Sequence, residues 1–186
     1  MKKILFAFAL VFTGMQLFAG PSITGVDVAD SLSFGGTKYS LSGAGIRKKV
    51  VLKLYVGSLY TNQAIKSEAD VLKGPASSVI RLDIISGLIT SKLMAETVQE
   101  GFDKAMGGDT SSLQKQIDSF ISVFSEEIVK GDYFTFVSVP GKGITAYKGE
   151  KQLTVIDDDR FREVLFSIWL GSDPADKNLK KDMLAK

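Results

Sequence analysis

The most distinctive chemical group in the sequence is a guanidinium that follows a glycine-rich run, Gly43-Ala44-Gly45-Ile46-Arg47. No Lys-Ser or Lys-Thr pair follows these glycines and no helix is predicted after them, which excludes a P-loop. One interpretation is a glycine turn between strands, followed by a surface arginine. In the other, the glycines let the backbone pass close to a ligand while Arg47 offers its N–H donors to an oxyanion.

Two absences restrict the available chemistry. The chain has no cysteine and no histidine. Disulfides, thiol nucleophiles and thiolate metal sites are therefore excluded, together with the usual neutral-pH general base and the usual zinc and haem ligands. Any reactive or binding group must come from Arg, Lys, Tyr, Thr or the carboxylates.

Three consecutive carboxylates, Asp157, Asp158 and Asp159, could hold a divalent cation. They stand directly before an amphipathic helix, where acidic side chains stabilise the positive end of the helix dipole. We therefore interpret them as a helix cap and a solvated helix end. The sequence predicts no metal site and no cofactor.

Residues 1–19 have the three parts of a secretory signal peptide, namely a pair of lysines, an apolar run over residues 4–12, and the small Ala19 before the cleavage point. The apolar run is shorter than the ~20 residues that span a bilayer. The sequence thus predicts a signal peptide over residues 1–19 and one domain over residues 20–186. It also predicts a periplasmic or secreted location, with no lipid anchor and no integral membrane segment after processing.

Removal of the signal peptide changes the net charge. The full chain has 23 basic and 21 acidic side chains, and the loss of Lys2 and Lys3 leaves 21 against 21. A chain of zero formal charge has no overall attraction to nucleic acid or to an anionic membrane. No nucleic-acid partner is predicted.

Hydrophobic periodicity predicts the elements that must position Arg47. The first half alternates in short runs that are typical of strands, with interruptions at residues 35–36 and 43–45. The strongest strand spans residues 50–61, and its mostly apolar even positions are expected to face the main core. A further strand is expected over residues 79–85.

The second half combines helices with a group of strands. Helical spacing covers residues 91–106 and 113–124, strand spacing covers 133–139, 144–147 and 152–156, and further helices follow residue 159 and residue 176. This order predicts an α+β fold in which an antiparallel sheet is covered by helices.

Five stretches of the chain occur in a recognisable order: Gly43-Ala44-Gly45-Ile46-Arg47, Lys53-Leu54-Tyr55-Val56-Gly57-Ser58-Leu59-Tyr60, Ile85-Ser86-Gly87, Phe166-Ser167-Ile168-Trp169-Leu170-Gly171-Ser172-Asp173-Pro174, and Leu179-Lys180. Together they resemble the chalcone isomerase fold and, within it, exported bacterial chalcone isomerase-like proteins. The resemblance covers most of the mature chain. It implies an antiparallel sheet packed against a layer of helices.

The resemblance also implies a set of site residues. In the family's plant enzymes, which close a chalcone into a flavanone, the arginine of the glycine motif stabilises a phenolate, and Arg47 occupies that position. A threonine of the next strand corresponds to Tyr55, a catalytic tyrosine and an asparagine correspond to Thr90 and Thr97, and a threonine of the last helix falls near Ile168. Of these five positions, only Arg47 keeps the residue type of the enzymes. Fatty-acid-binding members pair the same arginine with a tyrosine at the position of Tyr55, and that pair is present.

Arg47 and Tyr55 are eight residues apart, which in one straight strand would separate them by roughly 26 Å. They can share a ligand only if the chain turns near Lys48 and Lys49.

Three functions remain as alternatives. The first is a non-catalytic binder of a small apolar carboxylate such as a fatty acid, with the tail between sheet and helices and the head group at Arg47 and Tyr55. The second is an isomerase or intramolecular lyase in which Arg47 stabilises an oxyanion and Tyr55 acts as acid or base. The third is a structural or partner-binding module in which Arg47 makes a structural hydrogen bond. A walled apolar cleft beside Arg47 favours the first two, and a filled core favours the third.

We predict that the mature protein begins at Gly20, because Ala19 is the small residue that ends the signal-peptide pattern. The measurement is N-terminal sequencing of protein recovered from the periplasm. A membrane-bound chain that retains Met1 would contradict the prediction.

Overall fold

The structure is a computed structural model that describes residues 19–185. Apart from Ala19, which begins the first strand, the predicted signal peptide lies outside the described residues. Between residues 19 and 185, no helix is long and apolar enough to cross a bilayer.

The described part of the chain forms two antiparallel sheets. The small sheet is a hairpin of β1 (Ala19–Ile23) and β2 (Val26–Ala29). The large sheet is a meander in which each strand pairs with its neighbours in sequence. Its strands are β3 (Ser31–Phe34), β4 (Thr37–Lys49), β5 (Leu52–Thr61), β6 (Ser78–Ile84), β7 (Tyr133–Val139), β8 (Gly143–Lys148) and β9 (Lys151–Ile156).

A layer of helices covers one face of the large sheet. These are α1 (Glu68–Leu72), α2 (Ser91–Ala105), α3 (Gln114–Ile121), α4 (Asp159–Leu170) and α5 (Lys177–Met183), with short 3₁₀ turns at Ser111–Leu113 and Ser122–Phe124. The α+β fold predicted from the sequence is confirmed.

The main core lies between the sheet and the helices and is rich in aromatic rings. The ring centroid of Phe120 on α3 lies 5.1 Å from that of Phe136 on β7 and 5.8 Å from that of Phe161 on α4. Phe136 also stacks on Trp169 of α4 at 5.9 Å. All four side chains are buried, so these contacts join α3 and α4 to the middle of the sheet.

The prediction that the even positions of β5 face the main core was wrong at Val56 and Tyr60, although Leu54 does pack against that core. The odd positions Tyr55 and Leu59 lie in the main core under the helices. The even positions Val56 and Tyr60 lie in a smaller cluster on the opposite face, with Val28 of β2. Because β5 is buried on both faces, its side-chain alternation does not reveal which face meets the helices.

The glycine-rich run is not a turn, because Gly43 and Gly45 lie in the middle of β4. Their missing side chains make room for α5. A Cβ on Gly43 would overlap the carbonyl oxygen of Asp182 and lie 2.9 Å from that of Met183, and one on Gly45 would lie 2.5 Å from the Cβ of Asp182. Gly57, the cross-strand partner of Gly45, extends this surface on β5. Only glycine lets a helix approach the strands this closely.

The turn that the sequence analysis required occurs at Val50 and Val51, directly after Lys49. The predicted strand over residues 50–61 therefore begins two residues late, at Leu52. Lys49 pairs with Leu52 on the two sides of this turn.

We predict that Gly43→Ala destabilises the fold, because the added methyl group must push α5 away from β4. Overpacking of this kind costs about 1–3 kcal/mol, which should lower the melting temperature by roughly 2–12 °C in a domain of this size. Gly87→Ala is the matched control, since a Cβ there would meet no atom within 4 Å and its φ is not positive. Equal melting temperatures for the two variants would contradict the role assigned to Gly43.

Candidate functional site

Arg47 and Tyr55 lie directly opposite each other on β4 and β5. They are the next pair on the helix-facing side after Gly45 and Gly57, on which α5 rests. The tight turn and the register shift between Lys48 and Arg47 together bring these two side chains, eight residues apart, to the point where α5 begins.

A cleft of about 260 Å³ opens beside this pair, between the β4–β5 hairpin and α2. Its apolar lining consists of Leu52, Leu54, Leu88, Ile89, Leu93 and Met94, and its charged lining consists of Arg47, Lys49, Glu100 and Lys104. Tyr55 is buried at the closed side, whereas Leu52 and Leu88 are about half exposed and mark the mouth. Lys49 and Lys104 outnumber Glu100 even when Arg47 is counted with its partner Asp176, and this excess of positive charge favours an anionic ligand with an apolar tail.

Arg47 is held by the carboxylate that caps α5. Its guanidinium lies 3.5 Å from Oδ2 of Asp176, and both side chains are largely buried. The Asp176 carboxylate also accepts hydrogen bonds from the backbone N–H groups of Lys48, Asn178 and Leu179. Burial acts to raise the pKa of Asp176, but these donors and Arg47 outweigh it and hold the pKa below its ordinary value. Arg47 therefore has a constant anionic partner.

Tyr55 receives a hydrogen bond from the indole of Trp169, with 3.0 Å between Nε1 and the phenol oxygen. Indole is a donor only, so the hydroxyl hydrogen of Tyr55 remains free for donation to a ligand. Burial raises the pKa of Tyr55, and the hydrogen bond from Trp169 and the charge of Arg47 offset this only in part. At neutral pH the phenol is thus a neutral donor and a poor general base.

The other three site residues predicted from the sequence lie in different places. Thr97 on α2 lines the cleft, and its side chain is exposed. Ile168 is buried on α4 and lines a separate space of about 50 Å³ with Arg47 and Thr97. Thr90 lies outside the cleft and caps α2, accepting a hydrogen bond from the backbone N–H of Leu93 at 3.2 Å. The candidate site therefore omits Thr90.

The acidic run forms the helix cap that the sequence indicates. Asp158 is the N-cap of α4 and accepts a hydrogen bond from the backbone N–H of Phe161 at 2.8 Å. Asp159 accepts one from Nε of the buried Arg162 at 2.6 Å. Both carboxylates are used in holding the start of α4.

Sequence reasoning missed the roles of Asp176 and Trp169. The sequence shows Asp176 only as the start of a helix, and Trp169 only as part of a stretch on which the resemblance rests. An N-cap signal is visible in the sequence, but no local pattern connects Asp176 with Arg47 or Trp169 with Tyr55.

Comparison with known proteins identifies the family. The chain belongs to the chalcone isomerase-like family, whose model matches residues 20–185. A solved structure with a similar fold is a fatty-acid binding protein of Arabidopsis thaliana, with a TM-score of 0.68, 20% sequence identity and coverage of 87% of this chain and 92% of that chain. No curated protein matches the sequence.

We predict that Tyr55→Phe lowers the free energy of unfolding by about 1–3 kcal/mol, because it leaves the buried indole N–H of Trp169 without an acceptor. Chemical denaturation followed by the fluorescence of this single tryptophan measures the change. Tyr147→Phe is the control, since the hydroxyl of Tyr147 makes only a long, exposed contact of 3.4 Å with Gln152. A loss no larger than that of the control would contradict the assigned hydrogen bond.

Proposed function

We propose that the protein is an exported, non-catalytic binder of a small apolar carboxylate, such as a fatty acid of short or medium chain length. The observation that carries the proposal is the apolar cleft with Arg47 and Tyr55 in its wall. Its volume of about 260 Å³ lies just below the usual range of ligand pockets, roughly 300–1,000 Å³, which favours a short tail. The similarity in fold to a fatty-acid binding protein supports the same class of ligand.

The chemistry of the head group agrees with this proposal. A carboxylate beside apolar walls must be paired, because an unpaired buried charge costs several kcal/mol. Arg47 provides charged N–H donors and Tyr55 provides a neutral O–H donor. The two groups can therefore bind a carboxylate in a chain that has no histidine. Each methylene that leaves water adds about 0.8 kcal/mol, so the apolar lining rewards a tail that fills it.

The enzymatic alternative has less support. Tyr55 is protonated and already accepts from Trp169, so it is a poor base. Thr90, which corresponds to the catalytic tyrosine of the plant enzymes, lies away from the cleft at the cap of α2. The cleft thus supports binding better than it supports proton transfer.

The structural alternative rests on the ion pair between Arg47 and Asp176. Under this alternative, Arg47 joins β4 to the start of α5 and needs no ligand. Binding and stability measurements on the same variants separate it from the proposed function.

We predict that Arg47→Ala weakens carboxylate binding by about 10- to 150-fold, since charged hydrogen bonds contribute about 1.5–3 kcal/mol. Asp176→Asn should have the opposite effect and tighten binding by up to about fivefold, because it frees Arg47 from an ion pair while asparagine still caps α5. Calorimetric titration with saturated fatty acids of graded chain length measures both changes. Arg160→Ala removes an exposed charge outside the cleft and should bind as the wild type does.

Thermal melts of the same proteins serve as the control for folding. If no fatty acid binds the wild type below about 100 μM, or if Arg47→Ala lowers the melting temperature without changing affinity, the structural alternative replaces the proposed function. The same preparations are mixed with a hydroxychalcone. Turnover above the buffer rate that disappears in Arg47→Ala would instead establish the isomerase.

A further inference from the structure

We propose that the hairpin tip, residues 48–53, docks the protein onto the surface of an anionic lipid bilayer. The hairpin tip consists of the turn between β4 and β5 with the strand ends that flank it. This inference goes beyond the proposed function, since docking does not require a ligand in the cleft.

Exposed apolar side chains are concentrated at this end of the molecule. Val50 is 91% exposed and Val51 is 84% exposed, and Leu52 and Leu88 are about half exposed. These four are the majority of the large apolar side chains that protrude from the described part of the chain, since the others are Val129 and Val155. A concentrated apolar patch of this kind marks an interaction surface.

The hairpin tip is also cationic. Lys48, Lys49 and Lys53 are all exposed, and the chain has no acidic residue between Asp30 and Glu68. The lining of the adjoining cleft has one carboxylate, Glu100, and Asp176 beside it is already paired with Arg47. The mature chain has zero net charge as a whole, but its charge is unevenly distributed.

The backbone at Val50 gives a second, independent reason to assign the hairpin tip a function. Val50 has φ +59°, at the first central position of a two-residue turn, where glycine or asparagine is favoured. A β-branched side chain is a strained exception there. Folding gains nothing from its exposed side chain, so a binding partner is the physical reason for an apolar residue at this position.

An anionic bilayer fits this surface better than a protein does. Stable protein–protein interfaces use about 20–30 residues a side, and the hairpin tip has six. Apolar side chains that enter the boundary between head groups and acyl chains, with lysines that reach the phosphates, form a compact membrane-binding unit. Each lysine near an anionic surface strengthens binding about fivefold.

Docking in this way would bring the mouth of the cleft to the bilayer. Leu52 belongs both to the hairpin tip and to the cleft wall, and Leu88 lines the opposite side of the mouth. An apolar ligand could then pass between membrane and cleft without crossing water. This consequence rests on the proposed function, whereas docking itself does not.

The experiment is co-sedimentation of the exported protein, free of fatty acid, with vesicles of phosphatidylcholine alone or with 30% phosphatidylglycerol. We expect binding to the anionic vesicles only, and weakening as salt is added. Val50→Asn, in which asparagine suits the positive φ, should keep the fold and weaken binding by up to roughly tenfold. Lys53→Gln should weaken it by about fivefold.

Matched controls are Val155→Asn, which removes a half-exposed valine of β9, and Lys142→Gln, which removes an exposed lysine of the β7–β8 turn. Both should bind as the wild type does. All proteins in the comparison begin at the same residue, so that differences in binding come from the substitutions alone. Equal binding to neutral and anionic vesicles, or loss in the controls as large as in the tip variants, would overturn the proposal. If the tip variants bind anionic vesicles as the wild type does, the hairpin tip is not the docking surface and the proposal is overturned. Failure of fatty-acid binding would leave this result unaffected.

Discussion

The candidate site depends on the direct contact between α5 and the glycines of β4 and β5. The helix lies so close to Gly43 and Gly45 that a methyl group at either position would overlap it. Because α5 is seated on these strands, its first residues must lie next to Arg47. The helix thus supplies Asp176 to the arginine, and it leaves uncovered the part of the sheet face where the cleft opens. A packing requirement in the middle of a strand therefore determines the electrostatics at its end.

The two-residue turn provides the second requirement of the site. It folds β5 back onto β4, and a register shift between Lys48 and Arg47 then places Tyr55, rather than Leu54, opposite Arg47. A longer loop would leave the two groups less well ordered, because loops are more mobile than strands. The hydrogen bond from Trp169 then fixes the phenol from the helix side. Strands β4 and β5 carry the pair, Trp169 of α4 fixes Tyr55, and Asp176 at the start of α5 holds Arg47. Contacts of this kind order a binding site before a ligand arrives.

The sequence predicts most of the fold because the strands and helices have clear periodicities of their own. Residues 91–106 and 133–139, for example, show the spacing that α2 and β7 adopt. It does not predict the role of Gly43 and Gly45, because Asp182, which lies against them, is distant in sequence. Glycine is also a common turn residue, so a glycine-rich run can be interpreted as a turn. The face of β5 was assigned wrongly for a similar reason, because both of its faces are buried. Arg47 is a candidate from the glycine-rich run alone and Tyr55 from the resemblance, whereas the roles of Asp176 and Trp169 require the tertiary structure.

The ion pair with Asp176 determines how selective a carboxylate site at Arg47 can be. A ligand head group must share a guanidinium that already has an anionic neighbour, so the net gain from the charge is smaller than for a free arginine. A small inorganic anion gains only this reduced free energy from its charge interaction with Arg47. A ligand with an apolar tail gains in addition about 0.8 kcal/mol for each methylene buried in the cleft. Under the proposed function, the pairing of Arg47 with Asp176 therefore shifts selectivity from the charge of the head group toward the apolar tail.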